Sequence, residues 1–271
     1  MQTAATPIFA PARPENWRLG LLVDTTSLKA VACSMADASE PVTVRVPLAE
    51  AGLANLEEAV YSIPGLLADF RRVDAVWRTS SFTMVPDGLG AEADNGAALL
   101  TGIHNDDGST TLYRNAVGTT GAAALWTMPT EVSNFLARTF RNPRFHHPLS
   151  ILGGFFGSRC HRGNCAKLFV HFNGTEGIDL GCFDAAGRLL ALTWRRTPAD
   201  TDALYFILSF FKTNGLDPEK DEILLCGATG RRQALTPTLR RYVRKVLPLL
   251  TGPEAPAAAF STVLSLTMQQ T

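Results

Sequence analysis

Three short stretches carry residue types that could do chemistry. In "LLVDTTSLKAVA" an apolar run ends at Asp24, with Ser27 three residues on. A carboxylate at the mouth of a buried strand can hold a cation, and a hydroxyl beside it can donate to an anion. In "ILLCGATGRRQAL" a strand pattern runs into Gly227 and Gly230, then Arg231 and Arg232. A glycine turn before a helix N-terminus can approach a phosphate, but it is also the ordinary corner where a strand becomes a helix. In "CHRGNC" the thiols of Cys160 and Cys165 flank His161, with His146 and His147 upstream. That spacing is neither a zinc finger nor a zinc ribbon, so the stretch reads as an exposed polar loop. A Cys–His nucleophile would need an orienting partner, and no such signature accompanies these residues. Neither a Walker loop nor a Gly-x-Ser-x-Gly elbow is present. A basic run, Arg231, Arg232, Arg240, Arg241, Arg244 and Lys245, is the strongest charge asymmetry. Read as one helix, it puts Arg240 with Arg244 and Arg241 with Lys245 on shared faces. It would then be a solvated face or a docking patch for an acidic protein partner. No aromatic pattern interleaves the charges, which argues against nucleic acid.

The chain that must position these residues is 271 long, 46% hydrophobic and 18% charged. That is enough for a large core and excludes a disordered chain. Lys+Arg and Asp+Glu balance at 25 each, so overall charge draws the chain to neither nucleic acid nor an anionic membrane. The start, "MQTAATPIFAPARPENW", lacks the basic and apolar regions of a signal peptide, and no apolar run is long enough to span a bilayer. The expectation is a soluble cytoplasmic protein whose five cysteines are reduced thiols, with Cys33, Cys182 and Cys226 inside apolar strands.

The second half reads clearly. "AKLFVHF" is a strand, Asn173-Gly174 a hairpin signal, "GIDLGCFD" and "RLLALTW" two more strands. Thr197 then reads as the cap of a helix, "DALYFILSFFKTNG". It is apolar nearly all round, which predicts burial of Leu204, Phe206, Ile207 and Phe210. "EILLC" is a short apolar strand, expected to be central and parallel, and "ALTPTLRRYVRKVL" a second helix. The first half repeats the order with "RLGLLVD", "LKAVACS", "VTVRVPL", a helix broken near Pro64, and "VDAVWRT". The two β-β-β-α-β units start roughly 150 residues apart, the mark of an internal duplication. Between them, "TTLYRNAV" and "AALWTM" read as strands reached through the turn Asn105 to Gly108. "TEVSNFLARTF" reads as a helix capped by Thr130, and "PLSILGGFF" as a strand. "AFSTVLSL" reads as a terminal strand.

This order resembles the duplicated ribonuclease-H-like fold of the actin, Hsp70 and sugar-kinase ATPases. The stretches "LLVDTTSLKAVA", "SSFTMVPDGL", "FHHPLSIL", "DALYFILSFF" and "ILLCGATG" also make the chain similar to a bacterial domain-of-unknown-function family in that superfamily. The resemblance implies an α/β fold of two lobes, each a mixed sheet flanked by helices, with residues 1–160 in the first and 161–271 in the second. It also implies ATP and Mg²⁺ between the lobes. The superfamily's first phosphate loop resembles Asp24 and Ser27, but Thr26 stands where a glycine is expected. The second would place an aspartate at His171 and a glycine at Asn173, and only Gly174 matches. The adenosine loop keeps Gly227 and has Ala228 for its second glycine. Asp24, Ser27, Gly174 and Gly227 are therefore the cofactor-binding residues of an ATP-binding or phosphotransferase alternative. The main expectation is a scaffold that has no catalytic residues, binds no cofactor or metal, and acts on a protein partner. On that expectation Asp24→Ala leaves folding nearly unchanged.

Overall fold

The computed structural model describes residues 9, 11, 13–36, 40–50, 52–89, 109–160, 163–173, 177–249 and 263. Two five-stranded mixed sheets share one topology. The first holds β1 (Trp17–Val23), β2 (Ser27–Ser34), β3 (Val42–Pro47), β4 (Arg72–Trp77) and β8 (Arg144–His146), in the order β3-β2-β1-β4-β8. The second holds β9 (Lys167–Asn173), β10 (Gly177–Phe183), β11 (Leu189–Arg196), β12 (Glu222–Gly227) and β13 (Lys245–Pro248), in the order β11-β10-β9-β12-β13. In each, three antiparallel strands are followed by two parallel ones. β1 and β9 begin at Trp17 and Lys167, the offset expected of a duplication. A three-stranded antiparallel sheet lies in sequence between β4 and β8: β5 (Phe82–Pro86), β6 (Thr110–Ala116) and β7 (Ala122–Pro129), in the order β5-β7-β6.

The helices are α1 (Leu53–Ser62), α2 (Thr130–Thr139), α3 (Pro148–Arg159), α4 (Asp200–Thr213) and α5 (Thr229–Leu239). The second sheet alternates with period two. Leu168, Val170, Phe172, Ile178, Leu180, Ile223 and Leu225 face one core with Ala203, Ile207 and Phe211 of α4 and with Leu235 and Leu239 of α5. Phe169, Phe183 and Cys226 face the other way, into the cluster that holds the first sheet and α3. There Phe156 of α3 stacks on Phe169 at 4.8 Å, and Phe169 meets Phe183 edge-on at 5.5 Å.

Several sequence expectations change. "PLSILGGFF" is α3, not a strand. Pro148 takes the first turn, and the His147 side chain caps it by accepting from Leu149 N at 3.3 Å. Its glycines serve close approach rather than strand ends. A Cβ on Gly153 would lie 2.5 Å from Leu192 and from Val117, and Gly154 abuts Gly118. α5 stops at Leu239 with Pro237 inside it, and "KVLP" forms β13, parallel to β12. Thr130 is the first residue of α2, behind Pro129 as N-cap. Thr197 is not the cap of α4; Ala199 takes that place and its N–H donates to Asp202. On α4, Ile207 is fully buried, whereas Leu204, Phe206 and Phe210 are only half-buried. Five-residue β5 was not foreseen. The turn Asn105 to Gly108 lies outside the described residues, as does "AFSTVLSL" apart from the buried Val263.

Candidate functional site

The junction between the two sheets is built by register. β1 and β4 run parallel with Val23 opposite Trp77, so the next residues, Asp24 and Arg78, emerge side by side; Arg78 N–H donates to Val23 O at 3.1 Å. On the second sheet His171 of β9 lies opposite Asp179 of β10, and Asp179 lies opposite Trp194 of β11. These three side chains share one face of the sheet. Arg78 closes the gap. Its Nε donates to Asp24 Oδ1 at 3.1 Å, and its other two nitrogens donate to Asp179 at 2.6 and 3.3 Å. Its guanidinium carbon lies 5.6 Å from the centre of the Trp194 ring. Lys29 Nζ donates to Asp24 Oδ2 at 2.7 Å, and His171 Nδ1 lies 2.9 Å from Asp179 Oδ2.

Asp24 and Asp179 are wholly buried and Arg78 nearly so. Burial alone would raise the Asp179 pKa. Arg78 and His171 beside it outweigh that and hold the carboxyl at about 2. Burial pushes the Arg78 guanidinium down, but Asp179 and Asp24 more than restore it, and its pKa stands above the ordinary value. Since an ionised Asp179 only accepts, His171 Nδ1 is the donor of their bond. The arrangement is an interior ion chain joining carboxylates of both sheets through one planar cation, the geometry for which arginine suits better than lysine.

The sequence candidates fare differently. Asp24 is at the junction, held by cations. Ser27 closes the β1–β2 turn through its backbone, accepting from Asp24 N at 2.9 Å, while its buried Oγ has no hydrogen-bond partner among the described residues. Gly174 lies outside the described residues. Gly227 has φ +85°, and a Cβ there would meet Phe172 O at 2.3 Å and His171 at 2.8 Å. Strand packing and the corner into α5 therefore account for that glycine. Arg78, Asp179 and Trp194 were missed. Lone charges ending or interrupting apolar strands, as in "DAVWR" and "GIDLGC", are the signal, because a charge buried there must find a partner.

The basic stretch is not one helix face. Arg231 belongs to α5, Arg240, Arg241 and Arg244 to the turn after it, and Lys245 to β13. Arg231 is bound to Asp200 and Thr197, Arg240 to Val246 O, and Lys245 to Lys220 O. Among the described residues no helix is long and apolar enough to cross a membrane. Cys160 is buried and Cys165 half-buried, while His161 and Arg162 lie outside the described residues.

The residues at the junction do not fit Mg²⁺. Each carboxylate that could hold the ion already carries a cation in hydrogen-bond contact, so a metal would have to displace Arg78 from both aspartates.

A Bacteroides thetaiotaomicron protein with actin-like ATPase fold and unknown function is similar to this chain with a TM-score of 0.78. The identity is 19%, over 93% of this chain and 97% of that one. The PilM-PilN type IV pilus biogenesis complex contains a chain similar with a TM-score of 0.53 and 14% identity, over 86% of this chain and 88% of that one. No curated protein matches the sequence. The fold is thus that of the actin-like ATPases, and since the model of the family described as "Protein of unknown function (DUF3822)" matches residues 22–246, the chain belongs to that family.

Proposed function

We propose that this protein is a non-catalytic actin-like scaffold that works by binding another protein. The observation that carries the reading is Arg78, whose guanidinium bonds Asp24 of the first half and Asp179 of the second. Phosphoryl transfer on such a fold needs free carboxylates for Mg²⁺ and open glycine loops for phosphate. Here the carboxylates are neutralised from within, and Thr26 and Ala228 occupy two of the loop positions. The PilM-PilN complex supports the reading in a general way, as a similar fold found in an assembly of proteins.

A second reading, ATP binding at a degenerate site, is favoured by one observation. Ser27 Oγ, Asn173 Nδ2 and Trp194 Nε1 are buried on elements that meet at this junction, with no hydrogen-bond partner among the described residues. Three donors without acceptors would suit phosphate oxygens. Titration calorimetry and thermal melting with Mg·ATP separate the two readings. The scaffold reading expects no saturable heat and no rise in Tm at about 1 mM nucleotide, a concentration at which a site with Kd of about 10 μM would add close to 2.7 kcal/mol. Saturable binding with a raised Tm would overturn it.

A further inference from the structure

One face of the second sheet is apolar at one end and polar at the other. His171 pairs with Asp179 and Cys226, Asp179 with Trp194, and Gly181 with Phe169 and Leu192, so these residues share that face. α3 covers the apolar end. Phe156 stacks on Phe169, and a Cβ on Gly181 would lie 2.9 Å from the Phe156 ring. Two residues along each strand, roughly 7 Å on, stand His171 and Asp179, and there the first half reaches the sheet through Arg78.

The nitrogens of one guanidinium divide between two carboxylates there, Nε to Asp24 and the other two to Asp179. That is the fork geometry of a planar cation and not of a spherical one. The charge count agrees. Lys29 already pairs with Asp24 at 2.7 Å, so one further positive charge completes the balance with Asp179, and a dication would leave an excess. Other polar groups do not favour closure. Ser27 Oγ, Asn173 Nδ2 and Trp194 Nε1 are buried on elements that meet here, without a hydrogen-bond partner among the described residues, and each would gain water if this end parted. The apolar end has the opposite balance, since parting it would expose Phe156 and Phe169, which are wholly buried.

From the fork geometry, the charge count and the buried donors, we infer that this junction is a binding site for one guanidinium group whose ligand, Arg78, is tethered to the first half. It acts as a clasp: Arg78 shuts the polar end, and the packing of α3 is the pivot at the other. The resemblance to the actin-like ATPases puts Mg·ATP between the lobes; here the halves are joined by a side chain of the protein itself and stay closed with no ligand. The inference uses the bonds that carry the scaffold reading but does not depend on a protein partner.

Cys226 reports on the clasp. It is wholly buried beside His171 on this face, whereas Cys182 is buried in the core on the other side of the sheet. The full chain is pulse-labelled with iodoacetamide at about pH 8, and the labelled peptides are read by mass spectrometry. In Arg78→Ala, Cys226 should label at least about tenfold faster, the effect of losing charge-assisted bonds that hold the closed form, while Cys182 stays protected. Ethylguanidinium, the part of the side chain that this variant lacks, should restore protection of Cys226 at about 20 mM, far below denaturing concentrations. It should not change labelling in the parent chain, and it should fail when Asp179→Asn is added. Mg²⁺ at the same concentration should not restore protection. Unchanged labelling of Cys226, exposure of Cys226 and Cys182 together, no rescue, or equal rescue by Mg²⁺ would each overturn the proposal. Should Arg78→Ala not stay folded, soluble yield on refolding gives the same reading: a rise with ethylguanidinium and not with Mg²⁺ supports the clasp, and any other result overturns it. The Mg·ATP titration reports separately. A chain that binds no nucleotide and shows no rescue leaves the scaffold reading standing and the clasp fallen.

Discussion

Asp24 accepts from Arg78 at 3.1 Å and from Lys29 at 2.7 Å, with none of its surface exposed. The expectation that Asp24→Ala leaves folding unchanged is therefore corrected. Removing it strands Arg78 beside a single remaining carboxylate, a change that typically costs about 3–5 kcal/mol. Urea denaturation should show that loss, and one below about 1 kcal/mol would contradict the buried pair. Two other residues set the response to pH. Asp179 is held at about 2, below its ordinary 3.8, so its contribution is present above about pH 4 and disappears as pH falls through 2. His147 is buried, its Nε2 facing Thr79 O at 3.2 Å and its Nδ1 accepting from Leu149 N. Burial, with Arg78 adding to it against the Thr79 carbonyl, pushes its pKa down from 6.5 to about 3. The unfolded chain then binds a proton that the folded chain refuses. Stability should fall as pH drops below 6.5, by up to about 1.4 kcal/mol per pH unit. His147→Asn keeps an acceptor for the cap and removes the titration. Its urea midpoint should change less between pH 7 and pH 5 than that of the parent, and equal slopes would refute the assignment.

At the scale of elements, the strands of both five-stranded sheets followed the alternation and turn residues, except the short β8 and β13. The errors came where tertiary packing overrode local pattern. α3 looks like a strand because its apolar run is short and glycine-rich, yet the glycines are there so that Val117, Gly118 and Leu192 can approach. The last predicted helix extends across Lys245 to Leu247, which instead belong to β13 and complete the parallel edge of the second sheet. α4 tests how far an apolar helix is a buried one. Ile207→Ala should cost about 2–5 kcal/mol, as for a fully buried aliphatic side chain. Phe206→Ala should cost less than Ile207→Ala in the same urea measurement, because Phe206 is half-buried. The reverse order would mean that α4 packs on a different face.

For the molecule as a whole, burial governs the thiols. Cys160, Cys182 and Cys226 are buried, Cys33 and Cys165 half-buried, and all five are free. Burial raises the Cys182 pKa to about 12, with Asp221 adding to it, and the Cys226 thiol is pushed up by burial and Asp179. Titration with a thiol reagent at pH 8 should find two reactive groups at most in the native chain, Cys165 and Cys33, and five after denaturation. A third fast thiol in the native protein would contradict the packing of the second sheet. The same packing makes Arg78 the tie between the halves, since bonds from one guanidinium reach both.

The sequence alone determined the duplicated architecture, because strand alternation, the Asn173-Gly174 signal and the repeat of element order are local and survive without contacts. It also singled out Asp24 and Gly227, but as candidate ligand positions, and expected Asp24 to tolerate replacement by alanine. What it left to the tertiary structure was what holds these two residues in place. Arg78, Asp24 and Asp179 are separated by 54 and 101 residues along the chain, and only the parallel register of β1 with β4 and the docking of the second sheet bring them within hydrogen-bond distance. Whether a lone buried charge is a ligand or half of an ion pair depends on what faces it, and that is fixed by the approach of two sheets rather than by any stretch of chain.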